Sequence, residues 1–239
     1  GAALADTGTG VHTAAAILAT YIQRQRTGEG QLVEVAMQEV VANFLRGRYV
    51  DHYRDGKPTE RRGNGLVGGV PGGAYPCAPG GPNDYAYIYV QPMNHDMWRD
   101  FVTAIGREDL LTDTRCKDAK ARWEHRDALN EIIRAWTSAR TKHEVMAVLG
   151  KAGVPCGAVL DTGEVLDDPH LNARGQVHTI EHATRGRFRL PGCPVRLSAS
   201  EAPTTPAPLA GEHTVPILAE VLGLSTDEVA KLRARGVLG

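Results

Sequence analysis

Residues 1–31 read GAALADTGTGVHTAAAILATYIQRQRTGEGQ, and their pattern sets the class of fold. Over residues 11–25, Ala14, Ala15, Ile17, Leu18, Tyr21 and Ile22 recur at the spacing of one helix face, which predicts an amphipathic helix. Thr7, Gly8 and Gly10 read as the turn leading in, and Thr27-Gly28 as the stop. Residues 32–36 (LVEVA) alternate in the manner of a short strand, and 37–53 return to helical periodicity. Turn, helix, strand, helix is a piece of an α/β layer and not of a bundle.

Further along, residues 55–84 change character. Gly56, Gly63, Gly65, Gly68, Gly69, Gly72, Gly73, Gly80 and Gly81 fall there among several prolines, a density no regular helix tolerates. An irregular stretch of that length is either functional or a linker. Residues 85–90 (YAYIYV) predict a strand, with the tyrosines alternating against Ala86, Ile88 and Val90. Helices are expected over 94–105, 123–137 and 142–151, the last capped by Thr141 and ended by Gly153-Val154-Pro155. Val159-Leu160 suggests a short outgoing strand, so residues 80–160 read as a small α+β domain. Beyond Asp161 the pattern loosens into a short helix, hairpin-like strands at GRFRL and PVRLS, and a Pro-rich link at 203–208. A closing helix starts at Ser225, where Ser225 and Glu228 form an S-x-x-E capping box.

The 239 residues suffice for one large domain or two small ones, and 42% hydrophobic content suffices for a core. A net charge of −1 argues against a nucleic-acid groove or a polybasic membrane patch. No apolar stretch approaches the roughly 20 residues of a membrane span. The opening residues carry neither a basic region nor a long apolar run, so no secretory signal is expected. Cys77, Cys116, Cys156 and Cys193 stand far apart without a C-x-x-C pair, which fits a reducing, cytoplasmic setting. The nine histidines are scattered along the chain and read as surface or structural residues, so no metal is expected. Gly1 is not a start methionine, so a preceding region is expected either to be absent from this chain or to be supplied by another.

Two segments carry candidate chemistry. Asp6 sits in A-D-T-G-T-G just ahead of the predicted helix. A carboxylate there can act as a nucleophile, and a nearby helix N-terminus favours its ionised form. The same aspartate is equally readable as a simple helix N-cap. The run Gly68-Gly69-Val70-Pro71-Gly72-Gly73 allows close backbone approach to a reacting carbonyl, and its N–H groups could stabilise an oxyanion. It is also readable as a flexible linker. Arg61-Arg62 could attract a phosphate but reads as solvated surface. The stripe of Tyr85, Tyr87 and Tyr89 reads as one face of a half-buried strand.

These patches, taken in order, resemble the family III CoA-transferases (the CaiB/BaiF family), a group that includes formyl-CoA transferase and a carnitine CoA-transferase. The resemblance lies in the aspartate, Gly-rich turn and helix of 1–31 leading into Thr27-Gly28-Glu29-Gly30-Gln31, in VEVAMQEV at 33–40, and in the glycines of 68–73. GVPCGAVLD (153–161), CPVRLS (193–198) and PLAGEHT (208–214) extend it along the chain. The resemblance implies a Rossmann-like large domain built from both ends of the chain, an inserted small α+β domain, and two subunits interlocked like links. Residues 1–54 would then be a large-domain segment, 55–79 a glycine-rich loop and linker, 80–160 the small domain, and 161–239 the return linker and C-terminal large-domain segment. It implies coenzyme A as a substrate, exchanged between an acyl-CoA and a free carboxylic acid, with no metal. Asp6 would be the nucleophile, Gly68 and Gly69 the substrate loop, and Met37 the residue packed on the CoA adenine. Where the family can carry four consecutive glycines, this chain has Leu66-Val67-Gly68-Gly69, a departure that points away from formyl-CoA transferase itself. Two alternatives stay open: an α-methylacyl-CoA racemase-like enzyme with Asp6 as a base, and a truncated chain inactive without a complementary N-terminal partner.

Overall fold

A computed structural model of the chain describes residues 2–61, 63–66, 68–200 and 202–238. Arg62 of the Arg61-Arg62 pair and Val67 of the loop lie outside the described residues. The chain divides into two compact units, 1–64 and 65–239.

The first unit is helical. Helix α1 spans Leu4–Thr27, α2 Met37–Phe44 and α3 Arg46–Asp55. The helix predicted for 11–25 therefore starts earlier: Asp6, Thr7, Gly8 and Gly10 lie inside α1, not in a turn before it. Packing carries the helix through the glycines: Gly8 is buried against α2, which offsets its poor helix propensity. The predicted stop holds. Gly28 takes the left-handed conformation at φ 80°, and its N–H donates to the Arg24 carbonyl at 2.8 Å. Residues 32–36 do not form the expected strand; among the described residues they have no ladder partner, and an unpaired strand has nothing to hold it. The helical pattern of 37–53 appears as α2 and α3, broken at Leu45. Ile17, Leu18, Tyr21 and Ile22, the apolar face of α1, are each more than half exposed.

The second unit opens with strands β1 (Gly72–Pro76) and β2 (Tyr85–Tyr89). Helices α4 (His95–Ala104), α5 (Ala119–Glu124), α6 (Arg126–Ser138) and α7 (Lys142–Lys151) follow, then β3 (Cys156–Ala158). The three strands form one antiparallel sheet in the order β1-β2-β3. Tyr87 stands opposite both Ala74 and Gly157. As the alternation predicts, Ala86, Ile88 and Val90 face inward at 0% exposure, packing with Trp98, Phe101, Leu129, Ile133, Val145 and Leu149. The glycine-rich stretch is less irregular than expected, because Gly72 and Gly73 begin β1. The outgoing strand falls just before 159–160, although the Val159 N–H still donates to the Tyr85 carbonyl at 2.9 Å.

Next come α8 (Thr162–Asp167), α9 (Pro169–Ala173), β4 (Val177–His182), β5 (Gly186–Pro191), α10 (Thr214–Leu222) and α11 (Thr226–Ala234). GRFRL pairs with residues 177–182 and not with PVRLS, which makes only an isolated Leu197–Ser200 bridge. The local turn decides this. His182 Nδ1 accepts the N–H of Thr184 at 3.2 Å and of Arg185 at 3.3 Å, and Gly186 turns the chain at φ 69°. That closes a three-residue hairpin loop. The capping boxes at Thr141 and Glu144 and at Ser225 and Glu228 are both present.

One buried charge ties this unit together. Lys142 is 5% exposed. Its Nζ donates to the Asn83 carbonyl at 3.1 Å, the Val159 carbonyl at 3.0 Å and Glu164 Oε2 at 2.5 Å. Glu164 Oε2 also accepts the Asp161 N–H at 2.8 Å, as half of the capping box of α8. These bonds, the Lys142 contact foremost, hold the Glu164 carboxyl down at about 2. A folded value below the ordinary 4.5 means the stabilisation is complete above pH 4.5 and is lost as pH falls toward 2. Acid titration of the unfolding midpoint should therefore show a drop across that window that Glu164→Gln lacks. Lys142→Met should cost about 2 kcal/mol in denaturant unfolding, since two carbonyls and a carboxylate lose a charged donor.

Candidate active site

Asp6 is the third residue of α1, in its first turn, and its side chain is exposed. Unsatisfied backbone amides gather at that end of a helix. The N-cap position belongs to Ala3, so Asp6 is not the cap that sequence alone allows. Two residues on, Gly8 marks the contact of α1 with α2. A Cβ at Gly8 would stand 2.6 Å from Phe44 Cε2 and 3.3 Å from Val40 Cγ1. The glycine is thus required by helix packing, not by a turn. His12 closes the same contact: its Nδ1 lies 2.8 Å from the Gly8 carbonyl, and its ring meets Phe44 edge-on at 5.5 Å. Gly10, in contrast, has nothing within 4 Å of a built Cβ. Met37 is the first residue of α2 and is 53% exposed, so its thioether is free to meet a ligand. Asp6 and Met37 are therefore carried by the two helices that meet at Gly8.

Gly68 and Gly69 belong to the second unit. Gly68 has φ 83°, which a residue with a Cβ rarely adopts. Gly69 is buried; a Cβ there would lie 3.7 Å from Pro92 Cγ. The segment is closed at its neck, because the Leu66 N–H donates to the Gly72 carbonyl at 2.6 Å and Gly65 bridges Gly73. Gly72 permits this closure, since a Cβ would come 2.9 Å from the Gly69 carbonyl oxygen. The Val90 N–H, donating to the Pro71 carbonyl at 3.0 Å, pins it to the end of β2. This is a clasped loop on the sheet edge and not a free linker.

Other nucleophiles are less suited. Burial pushes the thiols of Cys77 and Cys156 up and that of Cys116 to about 11. These three remain protonated at neutral pH, so none is a ready nucleophile. Burial likewise raises Tyr75 to about 12, and its hydroxyl is occupied in donating to Asn130 Oδ1 at 2.7 Å. Among the described residues no group of three or more His, Cys, Asp or Glu side chains could hold a metal ion, and no helix is long and apolar enough to cross a membrane. A cavity of about 620 Å³ lies between the hairpin and residues 205–210, lined in part by His182, Arg185 and Phe188. None of the predicted site residues lines it. Sequence reasoning missed Val40 and Phe44 as the seat of Gly8, and Val90 as the residue that holds the Pro71 carbonyl. Neither contact leaves a local signal, since both join residues far apart in the chain.

The model of CoA-transferase family III matches residues 1–214. The chain belongs to that family. It is 39% identical over 251 residues to the formyl-CoA:oxalate CoA-transferase of Streptomyces coelicolor, covering 100% of this chain and 60% of the relative. An Escherichia coli O157:H7 protein of the same name is 35% identical, with 97% of this chain and 59% of the relative covered. The chain thus spans about 60% of the length of the curated relatives it matches. Among solved structures, a CaiB/BaiF family protein from Brucella suis superposes with a TM-score of 0.68 at 28% identity, over 92% of this chain and 56% of that one. A Mycobacterium tuberculosis structure at 22% identity and a TM-score of 0.67, covering 89% of this chain and 54% of that one, shares the fold. The mixed α/β architecture is therefore that of CaiB/BaiF family proteins.

The two helical glycines near Asp6 should separate cleanly in stability. Gly8→Ala must displace Phe44 and should cost ~1–3 kcal/mol. Gly10→Ala adds a methyl in open space and should gain up to ~1 kcal/mol of helix propensity. Denaturant midpoints of the two variants check both signs.

Proposed function

We propose that this protein transfers coenzyme A between an acyl-CoA and a free carboxylic acid, with Asp6 as the nucleophile. The observation that carries the reading is an exposed first-turn carboxylate at the head of α1 in a chain of CoA-transferase family III. The Asp6 carboxylate attacks the thioester carbonyl, the C–S bond breaks, and CoA thiolate leaves a mixed anhydride behind. The thiolate then attacks the aspartyl carbonyl, releases the donor acid and leaves an aspartyl-CoA thioester. The acceptor carboxylate repeats both steps in reverse, regenerating Asp6 and forming the new acyl-CoA. Each step exchanges one anion for another, so the cycle needs no external base.

In this reading Met37 packs its polarisable sulfur on the adenine, while Gly68 and Gly69 bring backbone amides to the reacting carbonyl. The exposed side chain of Met37 supports the first role, and the clasp of the loop together with the left-handed backbone at Gly68 supports the second. Formyl-CoA and oxalate, named by the relatives, are the first donor and acceptor to test. The departure at Leu66 and Val67 is the reason to test further acids. The relatives reported above are transferases by name, which weighs against Asp6 serving as a racemase base. The reading extends to a Rossmann-like large domain with an inserted small domain, acting as an interlocked homodimer or with a complementary chain. The exposed apolar stripe of α1 supports such an assembly.

The test is incubation in D₂O with a panel of acyl-CoA esters and free acids, read by mass. New CoA esters without deuterium at the α-carbon are expected. Deuterium at that carbon with no exchange of acids would overturn the proposal in favour of proton transfer. Asp6→Ala should lower kcat by about 10³-fold or more while binding CoA nearly as the native protein does. An active Asp6→Ala variant would remove Asp6 from the mechanism.

A further inference from the structure

The clasped glycine loop is gripped from behind by a buried cation. Arg122, on α5, is 2% exposed, and its guanidinium carbon lies 4.8 Å from the centre of the Trp98 ring. Its hydrogen-bond partners among the described residues are carbonyls and not carboxylates. Nη2 donates to the Pro92 carbonyl at 2.7 Å, and Nη1 to the Cys116 carbonyl at 3.3 Å. Burying a charge with no carboxylate hydrogen-bonded to it among the described residues costs free energy, although the Asp118 charge favours the guanidinium, and an apolar side chain at such a site commonly serves stability as well or better. The charge therefore calls for an account beyond core packing.

What it holds is the turn behind the loop. Pro92 Cγ is the atom nearest a Cβ built on Gly69, at 3.7 Å. On one side of Pro92, the Val90 N–H holds the Pro71 carbonyl and the Tyr89 N–H holds the Pro155 carbonyl at 2.9 Å. On the other side, Asn94 caps α4 by accepting the Met97 N–H at 2.9 Å, while its own N–H donates to the Gln91 carbonyl at 3.0 Å. The turn is thus tied to the sheet at one end and to α4 at the other. Arg122 supplies the tie in the middle, at the residue that backs Gly69.

We propose that Arg122 is a positioning residue for the Gly68-Gly69 loop: by gripping the Pro92 carbonyl it fixes the turn that follows Val90, whose N–H holds the Pro71 carbonyl of that loop. The inference builds on the reading that this loop meets the reacting thioester. A displacement of about 1 Å at such a loop can cost 10²-fold in rate with little change in binding.

The experiment compares Arg122→Lys and Arg122→Met with the native sequence in the intact protein. Lysine keeps the charge but replaces the planar two-carbonyl fork with a single point. Both variants are expected to lose about 10-fold or more in kcat while KM for the acyl-CoA changes by less than about twofold. Amide exchange should speed up at Val90 and Leu66, whose N–H groups hold Pro71 and Gly72. Combined with Pro92→Ala, the loss in kcat should be smaller than the product of the single losses, because both substitutions disturb one turn. Native kcat in a folded Arg122→Lys variant, or losses that simply multiply, would overturn the proposal. If neither Arg122 variant folds, Pro92→Ala removes the ring behind Gly69 and leaves the carbonyl in place. It should show the same selective loss of kcat, and full activity would count against the idea. If the native protein moves no CoA, the parent reading fails alone. Amide exchange in Arg122→Lys then decides the grip: faster at Val90 and Leu66 upholds it, unchanged refutes it.

Discussion

The inward row of β2 is the constraint on which the second unit depends. Ala86, Ile88 and Val90 are fully enclosed, and β2 is the only strand bonded on both sides in its sheet, to β1 and to β3. Ile88 and Val90 each contribute ~1.5–3 kcal/mol by burial, and a slip of one residue would exchange that row for Tyr85, Tyr87 and Tyr89. The register is therefore firmly set. It also fixes the candidate site, because Val90 at the end of the row holds the Pro71 carbonyl and thereby the neck of the glycine loop. Core packing and loop placement are one arrangement here.

Glycine has distinct physical meanings along this chain. Gly8 is in a helix because Phe44 occupies the space a side chain would need. Gly28 and Gly68 are left-handed, the first to end a helix and the second to shape a loop. Gly72 lets a strand pass close under the Gly69 carbonyl. In sequence these positions look alike, and the reading of Gly8 and Gly10 as a turn followed from that likeness. What separates them is the neighbour each one meets, and that neighbour is remote in the chain for Gly8.

Two buried cations show how charge is used internally. Lys142 combines a carboxylate with two carbonyls and joins α7, α8 and the ends of β2 and β3. Arg122, among the described residues, hydrogen-bonds to the carbonyls of Cys116 and Pro92. Both bond to backbone, so both constrain where the chain runs more than which side chains pack. Such contacts favour one geometry over close alternatives, as the clasped loop requires.

Much was legible from local pattern alone. The alternation at 85–90, the helices α4 and α7, and the caps at Thr141 and Ser225 depend on residues within a turn or two of one another, and each emerged as read; the helix read over 123–137 is broken at His125, with 123–124 closing α5 and α6 starting at Arg126. The chain's likeness to CoA-transferase family III was also legible, through motifs in order, and the family model bears it out. The partner of GRFRL, the absence of a ladder at 32–36 and the strand inside the glycine-rich stretch were not legible, because strand pairing is settled by what lies alongside. For the candidate site, sequence alone singled out Asp6, Met37, Gly68 and Gly69 by residue type and motif. Only the tertiary structure decided that Asp6 rides in the first turn of a helix, that Val90 holds the Pro71 carbonyl and that Arg122 bonds the Pro92 carbonyl, since hydrogen bonds between distant residues exist only once the chain has folded.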